Sequence, residues 1–148
     1  MRIDKAGRDF IYKEEGVKLK AYLDVAGVPT IGVGFTYYPH GGKVKLADII
    51  TLKQCNEYFT TIVQSFENAV SKAVKINLNQ HQFNALVSFS FNVGIQAFKS
   101  STLLEKINAQ STEQDIRAEF LKWKRAGGKV VDGLLKRRMR EANLYFTA

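Results

Sequence analysis

A glycine-punctuated stretch, Val17 to Thr36, interrupts a chain whose remaining apolar residues recur at helical spacing. Val, Ile and Thr recur within it, and Gly27, Pro29, Gly32 and Gly34 cut it into pieces too short for a helix. It therefore reads as short strands joined by tight turns. A β-rich segment this small has no core of its own and must pack on helices. The expected architecture is α+β, mostly α, with two lobes. A small β-rich lobe covers about 17–45, and a helical body covers about 50–146 together with an N-terminal helix at 4–15. A cleft between the two parts is the default place for a ligand.

The helices are marked by their starts and stops. Asp4 to Glu15 has Phe10 and Ile11 on its apolar side and Gly16 in the stop position. Tyr37 to Lys45, with Pro39 and Gly41-Gly42, reads as a loop. Thr51 and Gln54 have the spacing of a capping box. The helix they open is expected to reach about Lys75, with Leu52, Cys55, Phe59, Ile62, Val63, Phe66 and Val70 on its apolar face. Asn79 can cap the next helix, where Phe83, Leu86, Val87, Ser90 and Phe91 mark a buried central element. Ser100 or Ser101 opens a shorter helix through Leu104 and Ile107. Ser111 or Thr112 caps one carrying Ile116, Phe120 and Trp123, and Asp132 caps a last one through Leu144.

Composition narrows the partners. The chain of 148 residues suits a single domain. Twenty-two Lys and Arg against 14 Asp and Glu leave a formal charge of +8, which favours a polyanion: nucleic acid, an anionic membrane face or a wall rich in carboxylates. Cys55 is the only cysteine, so no internal disulfide forms, in keeping with a reducing compartment. At helical spacing with Leu52 and Phe59, it reads as a small buried apolar residue. No apolar run approaches the ~20 residues of a membrane span, and Met1 to Ala6 lacks the apolar core of a signal peptide. The expectation is a protein held in the cytoplasm, without stable membrane insertion. His40 and His81 lie far apart in sequence and read as surface groups, so no metal site is expected.

Three residues stand at a spacing of interest. Glu15 ends the first helix, Asp24 follows after eight intervening residues, and Thr30 after five more. Glycosidic hydrolysis needs a proton donor for the leaving oxygen and a second acidic group across the sugar. A turn and a strand can carry Asp24 and Thr30 back opposite the helix end. Spacing of this kind is commonplace by itself. The neighbouring residues add more: Glu15-Gly16, Leu19-Lys-Ala-Tyr22, Asp24, Gly27 and Thr30-Ile-Gly-Val-Gly34 together resemble the signature of the phage-type lysozymes, glycoside hydrolase family 24. Phe91-Asn-Val-Gly94, Ala97-Phe98, Ser100 to Leu104, Trp123, Ala126 to Val130, Gly133-Leu134 and Arg137-Arg138 resemble the lambdoid-phage branch. The likeness runs from about Phe10 to Tyr145.

The resemblance implies an endolysin that cuts the β-1,4 bond between N-acetylmuramic acid and N-acetylglucosamine, with inversion and without a cofactor. Glu15 would be the general acid, Asp24 would position or activate the water, and Thr30 would hydrogen-bond it. Glu14 is the rival for Glu15, but it sits one residue off the spacing and points about 100° away on a helix. Either Arg137 or Arg138, with Arg137 favoured, would lie near Glu15 and contribute to substrate binding. Phe91 and Ser101 match groove positions in relatives, against simple burial and helix capping. Tyr22 is either core packing or a sugar platform. Trp123 reads as core. Two departures from the family pattern are Phe35 where relatives carry His, and Asp132 where many carry Pro. The implied partners are peptidoglycan strands and a holin that opens the inner membrane. The protein would wait in the host cytoplasm, act in the periplasm and work as a monomer with no nucleic-acid role. A non-catalytic wall- or nucleic-acid-binding module and a lytic transglycosylase are the competing readings.

Overall fold

Helix α1, Lys5–Glu15, begins where Asp4 takes the Gly7 N–H on its Oδ1 at 2.9 Å, and it stops at Gly16, whose φ of +78° no helix continues. The computed structural model describes residues 1–148. The chain divides into two compact units, one of residues 9–64 and one of residues 1–8 with 65–148. They are called the β-rich and the helical unit below.

In the β-rich unit, β1 (Lys18–Leu23) pairs antiparallel with β2 (Pro29–Gly32), with Tyr22 opposite Thr30 and Leu23 opposite Pro29. A bulge between Lys18 and Tyr22 breaks the alternation of β1. The turn after β2 closes through reciprocal backbone bonds between Ile31 and Phe35 at 2.9 and 2.8 Å. Gly32 and Gly34 supply the positive φ that this turn requires. The 37–45 segment is a loop, as expected, pinned by one bridge between Tyr37 and Lys43. Helix α2, Leu52–Ala73, opens on the foreseen capping box: Gln54 N–H donates to Thr51 Oγ1, and Thr51 N–H donates to Gln54 Oε1. Ile11, Ile31, Val33, Phe35, Cys55 and Phe59 form the core of this unit. Each such buried side chain contributes about 1.5–3 kcal/mol. Leu52, expected on the apolar face of α2, is exposed, because it stands in the first turn and faces outward.

The helical unit is organised around α3, Gln80–Val93, in which every residue from Phe83 to Ser90 is buried. Its capping box joins Asn79 to Gln82. Phe89 receives the edges of Phe98, Phe120 and Trp123, with ring centroids 5.5–6.3 Å apart. The remaining elements are α4 (Ile95–Lys99), α5 (Thr102–Asn108, capped by Ser101), α6 (Glu113–Leu121, capped by Thr112), a hairpin of β3 (Arg125–Ala126) and β4 (Lys129–Val130), and α7 (Asp132–Tyr145). Trp123 lies beyond α6 rather than on it, and is only half-buried. Asp132 is not the cap of α7. Val131 holds that position without a side-chain bond, and Asp132 instead pairs with Lys136 at 2.9 Å. The β3–β4 hairpin and α4 were not foreseen, although Gly127-Gly128 between two short runs is a hairpin turn signal.

Candidate active site

The β-rich unit brings together Glu15, Tyr22, Asp24, Thr30 and Gly34. Glu15 is the last residue of α1, half-buried, and its carboxyl lies against the turn after β2. A β-carbon at Gly34 would stand 3.1 Å from Glu15 Oε1 and 4.0 Å from its carboxyl carbon. Only glycine leaves that space open, and the φ of +76° at Gly34 favours glycine independently. One turn thus seats the acid, and the same turn follows directly from the strand that carries Thr30.

Asp24 is fixed by its own loop. Its Oδ1 accepts the N–H groups of Ala26 and Val28, both at 2.9 Å, while its N–H donates to Val28 O at 3.0 Å. These bonds form the tight turn between β1 and β2 and lock the carboxylate plane, leaving Oδ2 outside them. Thr30 is buried at 4% exposure, and its hydroxyl donates to Val28 O at 2.9 Å. The Thr30 proton is therefore committed, and the oxygen presents lone pairs: it is an acceptor for any further partner.

Tyr22 reports on both acids. It stands across from Thr30 in the β1–β2 register. Burial pushes its phenol above the ordinary range, and the charges of Glu15 and then Asp24 push it further the same way. Both carboxyls therefore lie within electrostatic reach of one hydroxyl. Glu14 is also half-buried.

Three expected binding residues belong to the helical unit. Phe91 is half-buried, its ring 5.0 Å from Phe66. Ser101 is buried and serves as the α5 cap: its Oγ donates to Phe98 O at 2.7 Å and accepts Leu104 N–H at 3.1 Å. Arg137 is buried and donates to Glu141 Oε2 at 3.1 Å and to Ser88 O at 3.2 Å. Arg138, fully buried, approaches Glu141 Oε1 at 2.8 Å, donates to Asn92 Oδ1 at 2.7 Å and lies over the Phe89 ring. Burial pushes the Glu141 carboxyl up, while Arg138, Arg137 and the Ser88 hydroxyl pull it the other way. Glu141 escaped the sequence reading, although its spacing of three and four from the two arginines was a signal for an ion pair. Gly34 was quoted only as part of a motif, and its contact with Glu15 has no sequence signal.

Phe35 fills the space behind the turn. A β-carbon at Gly32 would meet its ring at 2.5 Å, and Cys55 Sγ lies 3.4 Å from the same point. Cys55 is a free, buried thiol whose titration is pushed up by burial, as an apolar packing residue requires. His40 is exposed, accepts the Gly42 N–H and stacks on Tyr38. His81 is half-buried, not a surface group. No three His, Cys, Asp or Glu side chains converge on a point where they could hold a metal.

The chain matches the phage lysozyme family over residues 12–141. It is 42% identical over 147 residues to the endolysin of Salmonella phage P22, covering 99% of both chains. It is 42% identical over 145 residues to the endolysin of Bacillus phage PZA, covering 98% of this chain and 55% of that one. The chain thus spans about half the length of the Bacillus phage relatives it matches. The solved endolysin from Escherichia coli O157:H7 phage FAHEc1 superposes with a TM-score of 0.92 at 37% identity, covering 99% of this chain and 94% of that one. An α+β fold, mostly helical, with a short antiparallel β element and a glutamate at the end of its first helix, defines a lysozyme-like protein. The chain belongs to the phage lysozyme family.

Proposed function

We propose that this chain is an endolysin, a lysozyme-type glycoside hydrolase that cleaves the β-1,4 bond between N-acetylmuramic acid and N-acetylglucosamine in peptidoglycan. Glu15 gives its proton to the departing glycosidic oxygen. A water held by Asp24 and Thr30 attacks the anomeric carbon from the opposite face, and Asp24 takes the proton that the water releases. The bond to the leaving oxygen breaks as the bond to the water oxygen forms, so the product is inverted. Thr30 suits this role as an acceptor: with its own proton on Val28 O, it can only receive a hydrogen from the water. That orients a lone pair of the water outward. Water and two carboxyl groups supply every atom the reaction moves, so the mechanism calls for no cofactor.

The observation that carries this reading is the pair of anchored acids in one small unit. Glu15 is seated on Gly34, Asp24 is tied by two N–H donors, and Tyr22 feels both. A binding module has no use for this arrangement. Tyr22, half-buried beside the acids, is the residue of this unit assigned to the sugar. Phe91, Ser101 and Arg137 belong to the same proposal as contacts to the glycan strand, Ser101 while capping α5 and Arg137 while holding Glu141 and Ser88. The whole chain acts as one phage-type lysozyme domain and as a monomer. Its functional partner is a holin that opens the inner membrane, so that protein made in the host cytoplasm reaches the periplasmic wall.

The test is clearing of chloroform-treated Gram-negative cells, followed by mass spectrometry of the released muropeptides. Glu15→Gln is expected to lower the rate at least a hundredfold while leaving the helical circular dichroism signal intact. The products are expected to end in reducing muramic acid. A fully active Glu15→Gln protein would overturn the mechanism, and anhydro-muramic ends would identify a transglycosylase instead.

A further inference from the structure

Val28 is the node through which the β1–β2 turn reaches both Asp24 and Thr30. Its N–H donates to Asp24 Oδ1 at 2.9 Å, and its carbonyl accepts the Asp24 N–H at 3.0 Å and the Thr30 hydroxyl at 2.9 Å. Three bonds that fix the two residues assigned to the water therefore end on one residue, which makes them with backbone atoms alone. The Val28 side chain carries no polar atom, and the residue is 41% exposed. The cause of the arrangement lies in whatever fixes the backbone at this position.

In extended backbone the N–H and C=O of one residue point to the same side, whereas in helical backbone they point opposite ways. Both groups of Val28 turn to Asp24, so Val28 has to stay extended. Pro29 enforces this. Its Cδ clashes with a helical conformation of the residue before it and drives that residue into extended or polyproline backbone. Its ring also holds its own φ near about −65°, which fixes the first free torsion between the Val28 carbonyl and Thr30. Proline forfeits no hydrogen bond here. Bonded positions alternate along an antiparallel ladder, and Asp24 already bonds Val28, so Pro29, opposite Leu23, stands where the ladder needs no N–H. The half-buried ring brings no polar atom to the reaction. Whatever it contributes, it contributes through Val28.

We propose that Pro29 is a positioning residue for hydrolysis: by holding Val28 extended, it keeps the Asp24 carboxylate and the Thr30 hydroxyl tied to one residue, and so fixes where the attacking water is held. This rests on the hydrolytic reading given above. A proline that merely opens a strand acts on stability, by narrowing the conformations of the unfolded chain. Pro39, the only other proline, is exposed in the 37–45 loop, outside the proposed site, and supplies that comparison. Replacing either residue by alanine relaxes the unfolded chain in the same way. Only at Pro29 does it also release the backbone that holds Asp24 and Thr30.

The experiment combines kinetics on soluble, uncross-linked peptidoglycan strands with amide hydrogen exchange by NMR, in the full chain. Pro29→Ala is expected to lower kcat on the order of tenfold while KM stays within about twofold. The Val28 amide is expected to exchange roughly tenfold faster than in wild type. Pro39→Ala is expected to keep the wild-type kcat and the wild-type Val28 exchange, whatever it does to Tm. Val28→Gly frees the same backbone by another route and is expected to repeat the loss of kcat. A wild-type kcat in Pro29→Ala, an unchanged Val28 exchange, or an equal loss of kcat in Pro39→Ala would overturn the proposal while the hydrolytic reading stands. Anhydro-muramic products from wild type would overturn both, because no water then attacks. The product ends thus tell the two failures apart.

Discussion

The two units are held in shape by different means. The β-rich unit relies on turns: five of the eight glycines at positive φ, Gly16, Gly27, Gly32, Gly34 and Gly41, fall within it. The helical unit relies on capped helices around Phe89 and on a buried cluster in which Glu141 faces Arg137 and Arg138. The difference teaches where precision is located. Turns fixed by backbone bonds can hold a carboxylate in place with little packing around it, as the Asp24 turn does. In the helical body the most deeply buried ionic group, Glu141 with Arg137 and Arg138, links α3 to α7.

The largest effect is expected from breaking that group. Glu141→Ala leaves two guanidinium groups buried beside an empty place, and the cost is about 3–5 kcal/mol. Urea unfolding measures it. A loss below about 1 kcal/mol would show that the cluster is not what holds the helical unit together. Glu141→Met, apolar and of similar volume, is expected to fail too, because it abandons the same two cations.

A middle-sized effect separates position from strain in the β-rich unit. Gly34 and Gly27 both have φ near +77°, so alanine strains either turn by roughly 1–2 kcal/mol. Only at Gly34 does the new methyl meet Glu15, since nothing lies within 4 Å of a β-carbon at Gly27. Gly34→Ala is expected to lower the lytic rate at least tenfold more than Gly27→Ala at matched stability. Equal rates in the two variants would remove Gly34 as the seat of the acid.

The smallest effect concerns pH. The Tyr38 hydroxyl, and then the Lys45 N–H, hold the Asp48 carboxyl below its ordinary range, and the partner phenol is pushed up to about 12, chiefly by burial and then by that same bond. A depressed folded-state value means that the contribution to stability is present above the unfolded value. It is lost as pH falls through the folded one. Thermal melts from roughly pH 6 to pH 3 are therefore expected to show wild type losing its lead over Asp48→Asn. A lead that stays constant or grows on acidification would contradict the pairing.

Much of this was legible in the residues. The Thr51–Gln54 pair and the Asn79 cap are short-range chemistry, and both helices begin where those residues put them. The apolar run from Phe83 to Phe91 announced the central helix because burial on all sides leaves no polar face. The spacing from Glu15 to Asp24 to Thr30 became informative through its resemblance to a family. What stayed hidden depends on contacts distant in sequence. Asp132 looks like a cap, yet the chain enters α7 from a hairpin that gives the role to Val131. Ser101 reads as a groove residue or a cap, and only its two bonds show that it caps α5. The seat of Glu15 on Gly34 joins residues brought together by a strand pair and a turn, and no local pattern encodes it.

Titration of the Tyr22 ring by NMR, in wild type and in Glu15→Gln and Asp24→Asn, tests most directly whether the two acids face one hollow. Each variant removes a charge that raises the Tyr22 phenol, so each is expected to lower its pKa, with Glu15→Gln the larger and burial keeping a remainder. A Tyr22 titration that moves with one acid and ignores the other would place the two carboxyls apart and contradict the mechanism built on them.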